Sequence, residues 1–248
     1  MTRPGRLLPI IPQWPAPGRV RAASTTRTGG ASAGPWASLN LADHVADEGA
    51  AVRRNRSHLR QALGLPEEPR WLVQRHGRRV VTADDGAAGA AADGIVARAA
   101  GTVCAILTAD CMPILLCDRD ATVVAALHAG WRGIAAGIVE AGVHAAGPAA
   151  RLIAWLGPAI GPDRYEVGPD VRDAILAGDP GTGDAFRPAS SPGKWHADLE
   201  GIVRRRLERS GVRSVHGGGR CTASDPDRFF SHRRDGVTGR MATLIWLA

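Results

Sequence analysis

His76, Cys111 and His128 are the residues of this 248-residue chain best suited to chemistry. Each lies in a compact motif: Gln74-Arg75-His76-Gly77, Ala109-Asp110-Cys111-Met112-Pro113, and His128-Ala129-Gly130-Trp131-Arg132-Gly133. One thiolate and two imidazoles form a good ligand set for Zn²⁺. Three protein ligands leave one coordination position open, which separates a catalytic zinc from a structural one. The trio therefore points to metal-assisted chemistry on a small molecule.

Taken singly, each residue has a plainer reading. Cys111 alone is most often a buried core thiol, His128 a satisfied core histidine, and His76 a surface histidine. The settings argue for more. Cys111 follows an apolar strand and precedes Pro113, which should force the chain out of regular pairing and present the thiol on a corner. His128 ends a strand, and Gly130 to Gly133 should turn the chain into a helix. Such a helix start can bind an anion, with Arg132 gripping it bidentately. The plainer alternative is a tight turn that needs glycine for backbone reasons only. Two further polar segments could cradle phosphate or sugar. One is Thr25-Thr26-Arg27-Thr28-Gly29-Gly30. The other is Phe229-Phe230-Ser231-His232-Arg233-Arg234-Asp235-Gly236, with the Phe pair as anchor and Asp235-Gly236 as a turn.

The elements that must position these groups follow from patterning. A helix is expected from Glu48 to Leu63, capped by Asp47, with Val52, Leu59 and Leu63 as its apolar stripe and Gly64 and Pro66 ending it. Trp71 to Val73 reads as a short strand running into His76, and Gly86 to Asp93 as a surface loop. Buried strands are expected at Thr102–Leu107, Ile114–Cys117, Thr122–Leu127 and Arg151–Leu156. A helix should run from the Gly130 turn to Ala146. Two more are expected near Pro169–Ala177 and Asp198–Ser210, before a final strand at Met241–Leu247. Strands alternating with helices indicate an α/β domain with a mixed sheet. The three candidate ligands fall at strand ends, where such folds place their sites. Length predicts one domain over residues 1–248, with residues 1–20 an irregular extension.

Composition narrows the function. The net charge is +7, nearly all of it arginine, since Lys194 is the only lysine. The arginines are dispersed, and the densest run, Arg204-Arg205-Arg206, reads as the solvated face of a helix. Aromatics are few and no recognition motif occurs, which argues against a nucleic-acid partner. Cys104, Cys111, Cys117 and Cys221 show no paired spacing, so no disulfide framework and a reducing, cytoplasmic setting are expected. No apolar stretch reaches the ~20 residues needed to span a bilayer.

Together these motifs closely resemble the laccase-domain family, also called multicopper polyphenol oxidase or YfiH-like. The likeness runs from Ser24-Thr25-Thr26-Arg27 to the end, about nine-tenths of the chain. Its most specific pieces are A-D-C-M-P, H-A-G-W-R-G, Gly157-Pro158-Ala159-Ile160-Gly161-Pro162 with Tyr165-Glu166-Val167-Gly168, and F-F-S-H-R-R-D-G. One departure is Ala97-Arg98, where the family often carries Thr. The resemblance implies a layered αββα domain, distantly like deamidating toxin domains, with zinc on His76, Cys111 and His128. It further implies a purine nucleoside phosphorylase that also deaminates adenosine and cleaves methylthioadenosine. An older family label implies copper-dependent polyphenol oxidation. On the first reading Cys111, His128 and Arg132 carry catalysis, and Arg27, Arg132, His232 and Arg233 contact the nucleoside or phosphate.

Residue chemistry helps to choose. A mononuclear copper site plus a trinuclear cluster needs about ten histidines, many in H-x-H pairs. This chain has eight and no such pair. One zinc fits both nucleoside reactions, by activating water for attack on adenine and by orienting phosphate. Copper in the same Cys/His₂ set remains compatible, because Cu²⁺ outcompetes Zn²⁺ intrinsically. Two other readings stay open: a cysteine hydrolase using Cys111 and His128, and a binding protein whose zinc is structural, with His232 or Cys221 as fourth ligand.

Overall fold

The most apolar runs of the sequence form the centre of the molecule, and their alternation explains its layers. In the computed structural model, which describes residues 5–83 and 86–248, the strands are β1 (Val20–Ser24), β2 (Val80–Thr82), β3 (Gly94–Ala97), β4 (Cys104–Thr108), β5 (Met112–Asp118), β6 (Val124–Ala129), β7 (Leu152–Leu156), β8 (Glu166–Val167), β9 (Phe186–Pro188), β10 (Trp195–Ala197), β11 (Ser214–Gly217) and β12 (Met241–Leu247). The helices are α1 (Gly49–Leu63), α2 (Trp131–Ala136), α3 (Ile138–Ala146), α4 (Pro169–Gly178), α5 (Leu199–Arg209) and α6 (His232–Asp235). A six-stranded mixed sheet runs β11-β7-β5-β6-β3-β2, a three-stranded sheet β1-β12-β4, and a small one β8-β10-β9.

Strand side chains alternate between faces. On β5, Ile114 and Leu116 pack toward α3 and α5, while Leu115 and Cys117 pack toward the second sheet. On β12, Met241 and Ile245 meet that inter-sheet core, while Ala242, Leu244 and Trp246 face Leu59 of α1. The result is the expected αββα layering, with both sheets covered on both faces. No helix among the described residues is long and apolar enough to cross a membrane.

Several local expectations are corrected. The helix expected over Gly130–Ala146 is two helices, because Gly137 adopts φ 94° between them. Asp47 does not cap α1 through its side chain. Glu48 holds the cap position, and one Asp47 oxygen takes the Ser32 hydroxyl and the Asn40 amide. Trp71–Val73 makes no strand, only single bridges at Arg70 and Val73. Asp235-Gly236 closes no hairpin. It ends a helical turn whose Ser231 hydroxyl accepts from Arg234 N–H, over buried Phe229 and Phe230. Of the triple arginine, Arg206 is buried and donates to Glu140 at 3.1 Å. The segment expected as a surface loop ends in fully buried Ala92 and Asp93.

Candidate metal and substrate site

His128 lies on β6, opposite Pro113 of β5 in the antiparallel register. Pro113 therefore stays inside the sheet, contrary to the expected break, and its carbonyl accepts from Gly157 N–H. The corner comes one residue earlier. Asp110, at φ 94°, turns the chain between β4 and β5, which lie in different sheets, and leaves Cys111 at the turn. A non-glycine residue rarely adopts this conformation, and local strain of that kind clusters at functional sites. His76 is a second case, at φ 58°.

One buried carboxylate fixes two of the three groups. Asp93 accepts backbone N–H bonds from Arg75, His76 (2.8 Å) and Gly77 (2.7 Å), and the same side chain accepts from His128 Nδ1 at 2.8 Å. With Nδ1 engaged, His128 presents Nε2 to the site. Gln74 clasps Leu107 through both its amide atoms at 2.8 Å, tying the His76 loop to β4. The ligand atoms of His76, Cys111 and His128 consequently lie within 4.8 Å of one another. The two imidazoles meet edge to face, with centroids 4.6 Å apart. Gly130 has to be glycine here: a Cβ would stand 2.8 Å from Cys111 Sγ and 3.0 Å from His76 Cδ2.

Electrostatics agree with a metal-ready set. Burial pushes the Cys111 thiol up, but the charge of His128 and hydrogen bonds from both imidazoles outweigh it and bring it to about 6. Burial works against a charged His128 too, yet Cys111 and Asp93 raise it to about 9. For Asp93, burial is outweighed by His128 and the backbone donors, and its pKa lies below the usual carboxylate value. A deprotonated thiol between two imidazoles is the donor chemistry that borderline divalent metals take. Among the described residues this is the one group of three or more such side chains able to hold an ion. His232 and Cys221 are not part of it. His232 Nδ1 bonds Gly236 carbonyl, and Cys221 Sγ accepts from Gly161 N–H.

The trio opens on a cavity of about 490 Å³, also lined by Trp131, Arg132, Tyr165, Arg233, His44 and Arg240. That volume suits a small molecule. The family described as "Multi-copper polyphenol oxidoreductase laccase" matches residues 21–248. This chain belongs to that family. It is 51% identical over 239 residues to "Purine nucleoside phosphorylase PA4543" of Pseudomonas aeruginosa, covering 96% of this chain and 98% of the relative. It is 47% identical over 240 residues to "Purine nucleoside phosphorylase YfiH" of Escherichia coli, with the same coverage. The solved structure of Neisseria meningitidis protein NMB0706 superimposes with a TM-score of 0.92 at 46% identity, covering 96% of this chain and 98% of that one.

In this laccase-family chain the structure brings Arg132, His232 and Arg233 to the cavity with the trio. Arg132 lies 4.2 Å over the Trp131 ring, and Arg233 lies 5.2 Å over Tyr165 while donating to Glu166 carbonyl. Arg27 is not among the cavity residues. It donates to the carbonyls of Ala37 and Pro226 and stacks on Phe230. Asp110 supports neither imidazole: it takes the Thr222 hydroxyl and the Arg233 backbone N–H. Asp93 fills that role. Sequence reasoning missed it because its partners are mostly backbone amides, and it missed His44 and Arg240 because neither sits in a distinctive motif.

Proposed function

We propose that this chain is a zinc-dependent purine nucleoside phosphorylase acting on adenosine, inosine and S-methyl-5′-thioadenosine, with adenosine deamination as a side activity. The observation that carries the reading is the open Cys/His₂ trio at the floor of an arginine-lined cavity. The names of its relatives support the phosphorylase part of this reading. His76, Cys111 and His128 fit zinc by donor type, mutual proximity and the depressed thiol. The metal supplies a positive charge that polarises oxygen and activates water.

The protein's own groups do the rest. Asp93 keeps His128 in one tautomer and one orientation. Trp131 and Tyr165 line the cavity and offer aromatic surface for a purine, and Arg132 and Arg233, stacked on these rings, line it too. The cationic lining of the cavity as a whole favours an anionic co-substrate and its attack through an oxocarbenium-like transition state. Removal of bulk water from the cavity strengthens each of these contacts.

The test is direct. The purified chain is assayed for metal, then incubated with each nucleoside with and without phosphate. Adenosine with phosphate should yield adenine and ribose 1-phosphate; without phosphate, only slow conversion to inosine should remain. Phenol oxidation should need added copper. Robust oxidation by the zinc-loaded protein, with no base released from any purine nucleoside, would overturn the reading.

A second reading has one specific support. Cys111, His128 and Asp93 stand in the order nucleophile, base and orienting carboxylate. A metal-free cysteine hydrolase would stay active in chelator and be trapped by iodoacetamide; a zinc enzyme would lose activity in chelator.

A further inference from the structure

We infer that Arg240, with His44 beside it, is the phosphate-binding end of the cavity, while Arg132 and Arg233 serve the nucleoside end. This rests on the phosphorylase reading and adds to it which cation meets the inorganic co-substrate.

Three arginines line the cavity, and none forms an ion pair with a carboxylate among the described residues. They are not equivalent. Arg132 and Arg233 are exposed, each lies on an aromatic ring, and both act electrostatically on Tyr165, so they form one group. Arg240 is half-buried, and the charges it feels are those of Cys111 and Asp110. Both Asp110 oxygens are already engaged, by the Thr222 hydroxyl and by Arg233 N–H. The Cys111 thiolate is committed to a metal on the same reading. Asp110 forms no ion pair with Arg240 among the described residues, and a partly buried cation gains from an anion bound in direct contact.

The guanidinium is also prepared for one. Only Nη1 is spent, on the carbonyls of Thr238 (2.8 Å) and Gly239 (3.0 Å). Among the described residues Nε and Nη2 make no hydrogen bond, which leaves the edge that grips phosphate bidentately. The backbone is pinned as well. Buried Asn40 accepts from Arg240 N–H at 3.0 Å, and Leu41 N–H donates back to Arg240 carbonyl. Gly239 permits this approach, since a Cβ there would meet Phe230 at 2.7 Å and Asn40 at 2.9 Å. The segment that pins Arg240 also delivers His44 to the cavity. Burial and then the Arg240 charge lower the His44 pKa. His44 is therefore largely neutral near pH 7 and can share a phosphate proton without adding repulsion.

Base release is measured over a matrix of adenosine and inorganic phosphate concentrations for the metal-loaded wild type, Arg240→Ala, Arg240→Lys and Arg132→Ala. Loss of a charged hydrogen-bonding group predicts a phosphate KM about 10- to 100-fold higher in R240A, with the adenosine KM unchanged. R240K should recover part of the effect, keeping the charge but not the fork. R132A should raise the adenosine KM instead. An unchanged phosphate KM in R240A, an equal rise of both KMs, or a phosphate effect confined to R132A overturns the assignment. If R240A loses metal or secondary structure, R240K decides by the same criterion. If the wild type releases no base with phosphate, the phosphorylase reading itself fails. Binding of inorganic phosphate alone, read by ³¹P line broadening in wild type and R240K, then still tests Arg240.

Discussion

Cys111, at the corner just before strand β5, and Cys117, near its far end, are six residues apart, and the protein makes opposite use of them. Cys117 is fully buried between the sheets, paired in register with Val124 and Ile153. Burial, aided by the Asp118 charge, pushes its thiol up to about 12. Cys111, at the corner before Met112, is brought to about 6 by two imidazoles that outweigh burial. The same atom is a small hydrophobe at one end and an anion at the other. What separates them is the supply of compensating charge, and that supply traces back to Asp93.

The largest test of this contrast is metal content. Cys111→Ala should abolish stoichiometric zinc and turnover while the domain stays folded, as judged by circular dichroism and metal analysis. One zinc per chain with full turnover in that variant would show the ligand assignment to be wrong.

Alkylation of the metal-free protein should separate the two thiols by orders of magnitude. The Cys111 pKa is lowered, so its thiolate predominates above about pH 6 and is lost below it. Its iodoacetamide rate should rise through about pH 6 and level off. Cys117, with its pKa raised and no solvent access, should stay unlabelled across the same range. Peptide mapping reads both. A Cys111 midpoint near that of a free thiol, about 8.5, would mean that the pairing with His128 does not form in solution.

Asp93→Asn tests the origin of the contrast. At Oδ2 the amide nitrogen would face Gly77 N–H, and at Oδ1 both His76 N–H and His128 Nδ1–H, so at least one donor loses its acceptor. Orienting partners of this kind are worth about 10- to 100-fold in metal affinity. Chelator competition should find a loss in that range, with the apo-protein still folded. Unchanged affinity would leave Asp93 a structural residue only.

Much of this was legible in the sequence, for physical reasons. Strands β4 to β7 and β12 are dense in Val, Ile and Leu because they are covered on both faces. The trio was legible by donor type, although its spacing carries no signal, since ligands gather from separate strand ends. The break at Gly137 was hidden because apolar periodicity continues across it. Strand β1 is short and alanine-rich, β3 has only four residues, and β8 to β10 are only two or three residues long. Asp93 and Arg240 were hidden for a shared reason. Each is held chiefly by main-chain atoms, and a main-chain partner leaves no residue type to recognise.

The smallest expected effect completes the comparison from its inert end. Cys117→Ala removes one sulfur from a packed inter-sheet core and leaves a small void. Core truncations cost through lost transfer energy plus the residual cavity, and one heavy atom places the loss at about 1 kcal/mol. In a chain of this size that is a fall of ~2–4 °C in Tm. Cys117→Ser should cost more than Cys117→Ala, although serine is closer in shape, because its hydroxyl would be buried among Leu115, Val124 and Ile153 without a partner. Both variants should hold zinc with wild-type affinity and keep the wild-type pH profile of Cys111 alkylation. A change in either property would mean that strand β5 transmits packing changes to the corner, and that the two thiols are not independent.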